Sequence, residues 1–161
     1  MFCQYYHSPV GTLLLQCSEQ ALQQVTIGEP VPADAAIQDH WILQQTTEYL
    51  QSYFAGKKVS PDSLPLELHG TDFQKLIWNL LRQIPYGSAV TYGQLSGQAA
   101  EKMQAKAMSA QAVGQALSAN KLLIIVPCHR VLAAGSRLGG FSCGVEIKQK
   151  LLKIENIKYR V

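Results

Sequence analysis

The stretch LLIIVPCHRVL, residues 122–132, sets five apolar residues directly against Pro127 and then places a thiol beside an imidazole. Five apolar residues bounded by a proline read as a buried strand or a buried extended segment. Proline has no N–H to donate, so Pro127 ends any ladder, and Cys128 emerges where apolar packing gives way to turn-rich sequence. The thiolate is the nucleophilic form of cysteine, and burial raises a thiol's pKa. A reactive Cys128 therefore needs a base. His129 is adjacent, but neighbours on an extended chain face opposite ways, so a bridging water is the better link between them. His129 in turn needs an acceptor to orient its ring. On sequence alone a Cys-His pair is most often structural.

The acceptor is sought in the last helix, read over residues 145–159. Ile147, Leu151, Leu152 and Ile154 are its apolar positions, and Glu155 lies four after Leu151 and three after Leu152. A carboxylate pointing with core residues is costly without a hydrogen-bonding partner. Glu155 is thus the candidate partner for His129; the alternative is a carboxylate at the stripe's edge that reaches water.

Upstream, Thr71-Asp72 offers an N-cap to a helix, FQKLIWNLLRQI, whose apolar stripe is Phe73, Leu76, Ile77, Leu80, Leu81 and Ile84. Thr91 caps a short helix, YGQLSGQAA, and a second short helix runs over residues 109–120 after a polar turn. Two short helices joined by a turn suggest a helix-turn-helix. The second, SAQAVGQALSAN, is built of small residues. Ser109, Ala110, Gln111, Ala112 and Gly114 would let it enter a minor groove only about 6 Å wide. Tight packing against another helix would explain Gly114 equally well. The N-terminal segment reads as strands around a turn at Ser8-Pro9-Val10-Gly11, followed by a helix over 37–54 with Leu43, Thr47, Leu50 and Phe54 on one face. Pro61 and Pro65 keep the next segment extended.

The chain has 161 residues, 47% of them hydrophobic, enough for one compact unit or two small ones with a core. No apolar run approaches the roughly 20 residues needed to span a bilayer, and MFCQYYHSPV lacks the features of a signal peptide. A cytoplasmic protein with its four cysteines reduced is expected. Cys3, His7, Cys17 and His40 could in principle hold zinc, but their spacing fits no standard finger. The net charge of +3 conceals an asymmetry: two basic against seven acidic residues up to residue 71, or −5, and twelve against four thereafter, or +8. A basic half suits a polyanion such as nucleic acid, or is simply a solvated face.

PCHRV, with Asn120 eight residues before the cysteine, resembles the signature of the O6-alkylguanine-DNA alkyltransferases. SPVGTLLL, EYLQSYFAGK, LPLELHGTDFQKLIW, IPYGSAVTYGQL and QAVGQALSANKLLIIVPCHRV follow in that family's order, so the similarity covers nearly the whole chain. The resemblance implies a mixed α/β (α+β) protein. A small ribonuclease-H-like sheet-and-helix domain would span 1–66. A mostly helical, winged helix-turn-helix-like DNA-binding and alkyl-transfer domain would span 67–161. It implies binding of duplex alkylated DNA from the minor groove as a monomer, flipping of the damaged guanine, and irreversible single-turnover transfer of the alkyl group to Cys128. It implies no metal or organic cofactor. By position His129 would deprotonate Cys128 through water, Glu155 would hold His129, and Asn120 would brace the turn. Tyr92 would donate its hydroxyl to the guanine ring, Val131 and Ser142 would contact the base through their backbones, and Phe141 would stand in the pocket wall. Arg130 would be mainly structural.

The chain also departs from the family pattern. Gln111 stands where an arginine that fills the flipped base's gap is usual, Phe141 where tyrosine is common, Cys143 where glycine is common, and Lys121 replaces a frequent proline. The turn EKMQAKAM is longer than usual. Two other function classes stand beside this one: a damage-binding module that flips without accepting the group, which keeping Cys128 argues against, and a cysteine hydrolase, for which no oxyanion-hole motif is present.

Overall fold

A computed structural model describes all 161 residues. The chain folds into two compact units: Met1–His69 with Lys121–Ile125, and Gly70–Asn120 with Val126–Val161.

The first unit is a four-stranded sheet with one helix. Strands β1 (Phe2–Ser8), β2 (Gly11–Cys17), β3 (Leu22–Ile27) and β4 (Ala36–Ile37) lie in the order β3-β2-β1-β4. The pairs β1–β2 and β2–β3 are antiparallel and β1–β4 is parallel. The hairpin turns at Ser8-Pro9-Val10-Gly11, where Ser8 Oγ donates to the Gly11 carbonyl at 2.6 Å and Gly11 adopts φ 121°. Strand β2 is the centre of the core: Leu13, Leu14 and Leu15 are buried in succession. Each such side chain contributes about 1.5–3 kcal/mol on leaving water. Helix α1 (Trp41–Phe54) starts four residues later than the periodicity suggested, because Ala36–Ile37 pair with β1 and His40 supplies the cap through Nδ1. Its buried face carries Ile42, Leu43, Thr46, Tyr49, Leu50 and Tyr53, so Thr46 and Tyr53 take the inward places expected of Thr47 and Phe54.

Cys3 and Cys17 are buried in this sheet, while His7 engages Thr12 and His40 stacks on Phe2. No cluster of three or more His, Cys, Asp or Glu side chains suited to a metal forms.

The apolar run 122–126 is buried, as expected, but it is not a strand. Only Leu122 bridges to Val25, with Leu123 N donating to the Val25 carbonyl at 3.0 Å. Ile124 then takes φ 71°, a left-handed conformation costly for a β-branched residue, and this breaks the pairing.

The second unit is mostly helical: α2 (Asp72–Arg82), α3 (Tyr92–Lys102), α4 (Ala110–Ser118) and α5 (Val145–Ile154), with a short parallel pair of β5 (Val90–Thr91) and β6 (Val131–Leu132). Helices α2 and α3 both begin with capping boxes, Thr71 with Gln74 and Thr91 with Gln94. Ser109 caps α4 through Ala112 N at 3.2 Å. Trp78 Nε1 donates to the Ala116 carbonyl at 2.8 Å and ties α2 to α4. Gly70 is required there, since a Cβ would lie 2.6 Å from the Trp78 ring. No helix is long and apolar enough to cross a membrane.

Candidate active site

The chain reaches Cys128 through two tight turns. Pro127 sits at φ −82°, ψ 66°, and Cys128 N donates to the Val126 carbonyl at 2.8 Å. That is an inverse γ-turn, whose central residue has φ about −75° and ψ about +65°. Proline's ring holds that φ, and its missing N–H leaves no donor to satisfy. Residues Cys128–Arg130 then form one 3₁₀ turn, with Arg130 N on the Pro127 carbonyl at 3.0 Å. The expectation of an extended chain at Cys128-His129 is therefore corrected: successive side chains diverge by about a third of a turn instead of facing opposite ways.

The parallel pairing sets Val90 against Val131 and Thr91 against Leu132. Strand β6 follows the cysteine turn directly and β5 leads directly into α3, so Tyr92, the first residue of α3, arrives beside Cys128. Both line a cavity of about 820 Å³, with Gln111 and Gly114 from α4 and with Phe141 and Ser142 from the loop before α5. A Cβ at Gly114 would meet nothing within 4 Å. The helix-packing explanation for that glycine is thereby removed: α4 turns Val113, Ala116 and Leu117 inward and leaves Ser109, Ala110 and Gln111 exposed. Ala112 and Gly114 are half-buried.

Cys128 is buried, and burial raises its thiol to about 11, opposed by a hydrogen bond from Asn120. Asn120 Nδ2 reaches Cys128 Sγ at 3.3 Å and the Val126 carbonyl at 2.8 Å, so one side chain clamps both ends of the γ-turn. Beneath the thiol lies a fully buried ionic cluster. His129 Nε2 is bonded to Glu155 Oε2. Glu155 Oε1 accepts from Arg130 Nε at 2.7 Å and from Gly87 N at 3.1 Å. Arg130 also donates to the Ile84 carbonyl at 2.7 Å, and its guanidinium lies over the Tyr86 ring. Burial by itself would push Glu155 up; His129 and Arg130 overcome it and hold the carboxyl at about 2. Burial drives His129 below its ordinary value against the pull of Glu155. The pair is therefore a carboxylate and a neutral imidazole. With Nε2–H given to Glu155, the basic nitrogen is Nδ1, which is shut off from bulk solvent. Glu155 is 3% exposed, which excludes the alternative of a carboxylate at the stripe's edge.

Lys148 was not anticipated. It is wholly buried in α5, and its Nζ donates to the Val131 carbonyl at 2.7 Å and the Gly140 carbonyl at 3.1 Å. Burial lowers its pKa to about 8, with Cys128 acting the other way. Residues 148, 151, 152 and 155 form an i, i+3, i+4, i+7 stripe, so a charged residue in line with Leu151, Leu152 and Glu155 was a readable signal. Ile147, read as inward, is only half-buried. Val131 is buried, its carbonyl turned to Lys148, while Tyr92 has its hydroxyl held protonated by burial and by Cys128.

A buried thiol at a cavity wall, backed by an imidazole–carboxylate pair, is an arrangement suited to nucleophilic chemistry on a ligand entering that cavity. Comparison with known proteins gives the family. Residues 72–157 match the 6-O-methylguanine DNA methyltransferase DNA-binding domain, and residues 1–68 match the ribonuclease-like domain of the same proteins. The methylated-DNA–protein-cysteine methyltransferase of Methanosarcina acetivorans is 37% identical over 160 residues, covering 96% of this chain and 98% of the relative. That of Haemophilus influenzae is 35% identical, covering 99% and 88%. The crystal structure of Mycobacterium tuberculosis OGT in complex with DNA superposes with a TM-score of 0.83 at 33% identity, covering 96% of this chain and 92% of that one. The chain belongs to the 6-O-methylguanine DNA methyltransferase family.

Proposed function

We propose that this protein repairs O6-alkylguanine in duplex DNA by moving the alkyl group irreversibly onto Cys128, after the base is flipped into the 820 Å³ cavity from the minor-groove side. The observation that carries this reading is the thiol's setting: Cys128 on the cavity wall, with a neutral His129 tied to an ionised Glu155 behind it.

A thiol at about 11 is protonated at neutral pH, so a base must act. A water bridging Cys128 Sγ and His129 Nδ1 passes the proton, and Glu155 stabilises the imidazolium that forms. Sulfur attacks the alkyl carbon; the carbon–sulfur bond forms as the carbon–O6 bond breaks, and the electron pair leaves on guanine. Tyr92, still protonated, supplies a proton to the ring as negative charge develops, so the thiol's hydrogen ends, in net terms, on guanine. The carbon is saturated and no tetrahedral oxyanion arises. The thioether does not revert, so each molecule acts once.

Asn120 braces the turn, and Phe141 and the Ser142 backbone flank the base. Val131 contributes through the turn that Lys148 anchors. On the DNA side, Ser109, Ala110, Gln111, Ala112 and Gly114 present the small-residue face of α4 to the minor groove, Gln111 filling the vacated stack. Its shorter, neutral side chain makes extrusion weaker than an arginine would. The protein acts as a monomer in the cytoplasm. Incubation of wild-type and Cys128→Ala protein with an O6-methylguanine duplex tests the assignment. Stoichiometric loss of the methyl group from DNA with wild type alone is expected, and tight binding without loss would point to a damage sensor.

A further inference from the structure

Cys143 is the one thiol of the chain that is exposed, and the site described above makes no use of it. It follows Phe141 and Ser142, which line the same cavity as Cys128, and its thiol lies within hydrogen-bonding reach of the Ser142 side chain. Gly144 N donates to the Phe141 carbonyl at 3.0 Å, so residues 141–144 form a tight turn with Cys143 near its tip. Glycines flank that turn. Gly139 has φ 70°, Gly144 has φ 106°, and a Cβ at Gly140 would meet nothing within 4 Å. The turn is tied at both ends to Lys148, by its Nζ on the Gly140 carbonyl at 3.1 Å and by its backbone N on the Gly144 carbonyl at 3.3 Å, which leaves Phe141, Ser142 and Cys143 as the span between the two ties. A disulfide needs α-carbons within about 7 Å, and a glycine-hinged turn at the cavity wall is the segment best able to supply the approach.

We propose that Cys143 and Cys128 are a redox couple: a peroxide joins them in a disulfide that closes the base pocket, and a thiol reductant reopens it. Burial raises the pKa of both thiols, that of Cys128 to about 11, so accessibility sets the order and the exposed thiol reacts first. Peroxide transfers one oxygen to Cys143, giving a sulfenic acid and one water. The Cys128 sulfur then attacks the Cys143 sulfur, the S–S bond forms, and the displaced hydroxide leaves with the Cys128 proton as a second water. Two electrons and two hydrogens pass from the thiols to one peroxide. The disulfide removes the alkyl acceptor and draws the 141–144 turn across the cavity. The unmodified pair survives in reducing surroundings, and repair is suspended, not destroyed, under oxidation.

The suspension of repair rests on Cys128 being the acceptor; the cross-link does not, and is read without DNA. The full-length protein is treated with hydrogen peroxide, its remaining thiols are blocked, and the digest is mapped by mass spectrometry. Methyl transfer is measured before oxidation, after it, and after dithiothreitol. The expected result is a Cys128–Cys143 linked peptide, with transfer lost on oxidation and recovered on reduction. Cys143→Ser, changed at an exposed position, keeps its transfer activity before oxidation and forms no linked peptide. Absence of the linked peptide from oxidised wild type, or a loss of transfer on oxidation in wild type that dithiothreitol does not reverse, overturns the proposal. A linked peptide from a protein that never transfers alkyl would uphold the couple and sink the transfer reading instead.

Discussion

At the scale of single residues, the proposed mechanism separates the group that reacts from the groups that tune it. Cys128 is held in its thiol form by burial, and His129 must be neutral to take its proton. The single-turnover transfer rate is therefore expected to fall only when pH drops through the depressed His129 pKa, below 6.5, and to stay level until Tyr92 ionises, above 10.0. Quench-flow measurement across that range checks this; a rate that climbs tenfold per pH unit through neutrality would mean the thiolate forms without a base. Glu155 also ties pH to stability. Its folded pKa, about 2, lies below the ordinary 4.5, so its contribution is complete above 4.5 and lost as pH falls toward 2. Glu155→Gln leaves Arg130 buried without its carboxylate, and such a change costs about 3–5 kcal/mol. Urea titration at pH 7 should show that loss, and the wild-type advantage over the variant should shrink below pH 4.5. At this scale the sequence was informative where chemistry dictates residue type. Cys128, His129 and Glu155 stood out because a buried thiol needs a base and the base needs an acceptor, whereas Asn120 was carried by the family resemblance alone. Lys148 was missed because its neighbours were read as an apolar stripe beginning at Ile147, one position early.

At the scale of elements, two segments do opposite things with strain and space. Ile124 sits at φ 71° although it is 1% exposed. Releasing such strain with glycine is worth about 1–3 kcal/mol. Removing a buried isoleucine side chain costs about 2–5 kcal/mol, and glycine's greater freedom in the unfolded chain adds to that. Ile124→Gly is expected to destabilise, with the melting temperature lowered; an unchanged or higher value would mean that relief of the strain outweighs the lost side chain. On α4 the balance reverses. Gly114 is open to space, so Gly114→Ala gains about 1 kcal/mol of helix propensity with nothing to clash against. Gly114→Leu should be no less stable than wild type yet bind duplex DNA more weakly, because bulk on that face blocks the groove. A stable Gly114→Leu with full DNA affinity, measured by fluorescence anisotropy, would place the DNA elsewhere. The helix starts at Thr71, Thr91 and Ser109 were legible because caps are local chemistry. The conformation of residues 122–126 was not. A buried apolar run has the same composition whether it pairs over its length or at one residue, and only the positive φ of Ile124 distinguishes the two.

At the scale of the whole molecule, charge and chain path matter most. The 72–161 segment carries +8 against −5 for residues 1–71. DNA affinity should fall linearly with the logarithm of salt concentration, with a slope of roughly −0.9 per phosphate contacted. Gln111→Arg should steepen that slope, tighten binding and speed transfer; equal affinity and rate in the two proteins would remove Gln111 from the flipping step. The two-part organisation was visible in the charge asymmetry and the proline-rich join at Pro61 and Pro65. The excursion of Lys121–Ile125 into the first unit was invisible, because it depends on a single bridge, Leu122 to Val25, across nearly a hundred residues of sequence.

The most direct measurement is the mass of the protein after incubation with duplex DNA containing O6-methylguanine, followed by peptide mapping. A gain of one methylene unit per molecule is expected, located on Cys128, absent from Cys128→Ala and strongly slowed in His129→Ala. A methylated residue other than Cys128, or an unmodified protein in a mixture where the DNA has lost its methyl group, would contradict it.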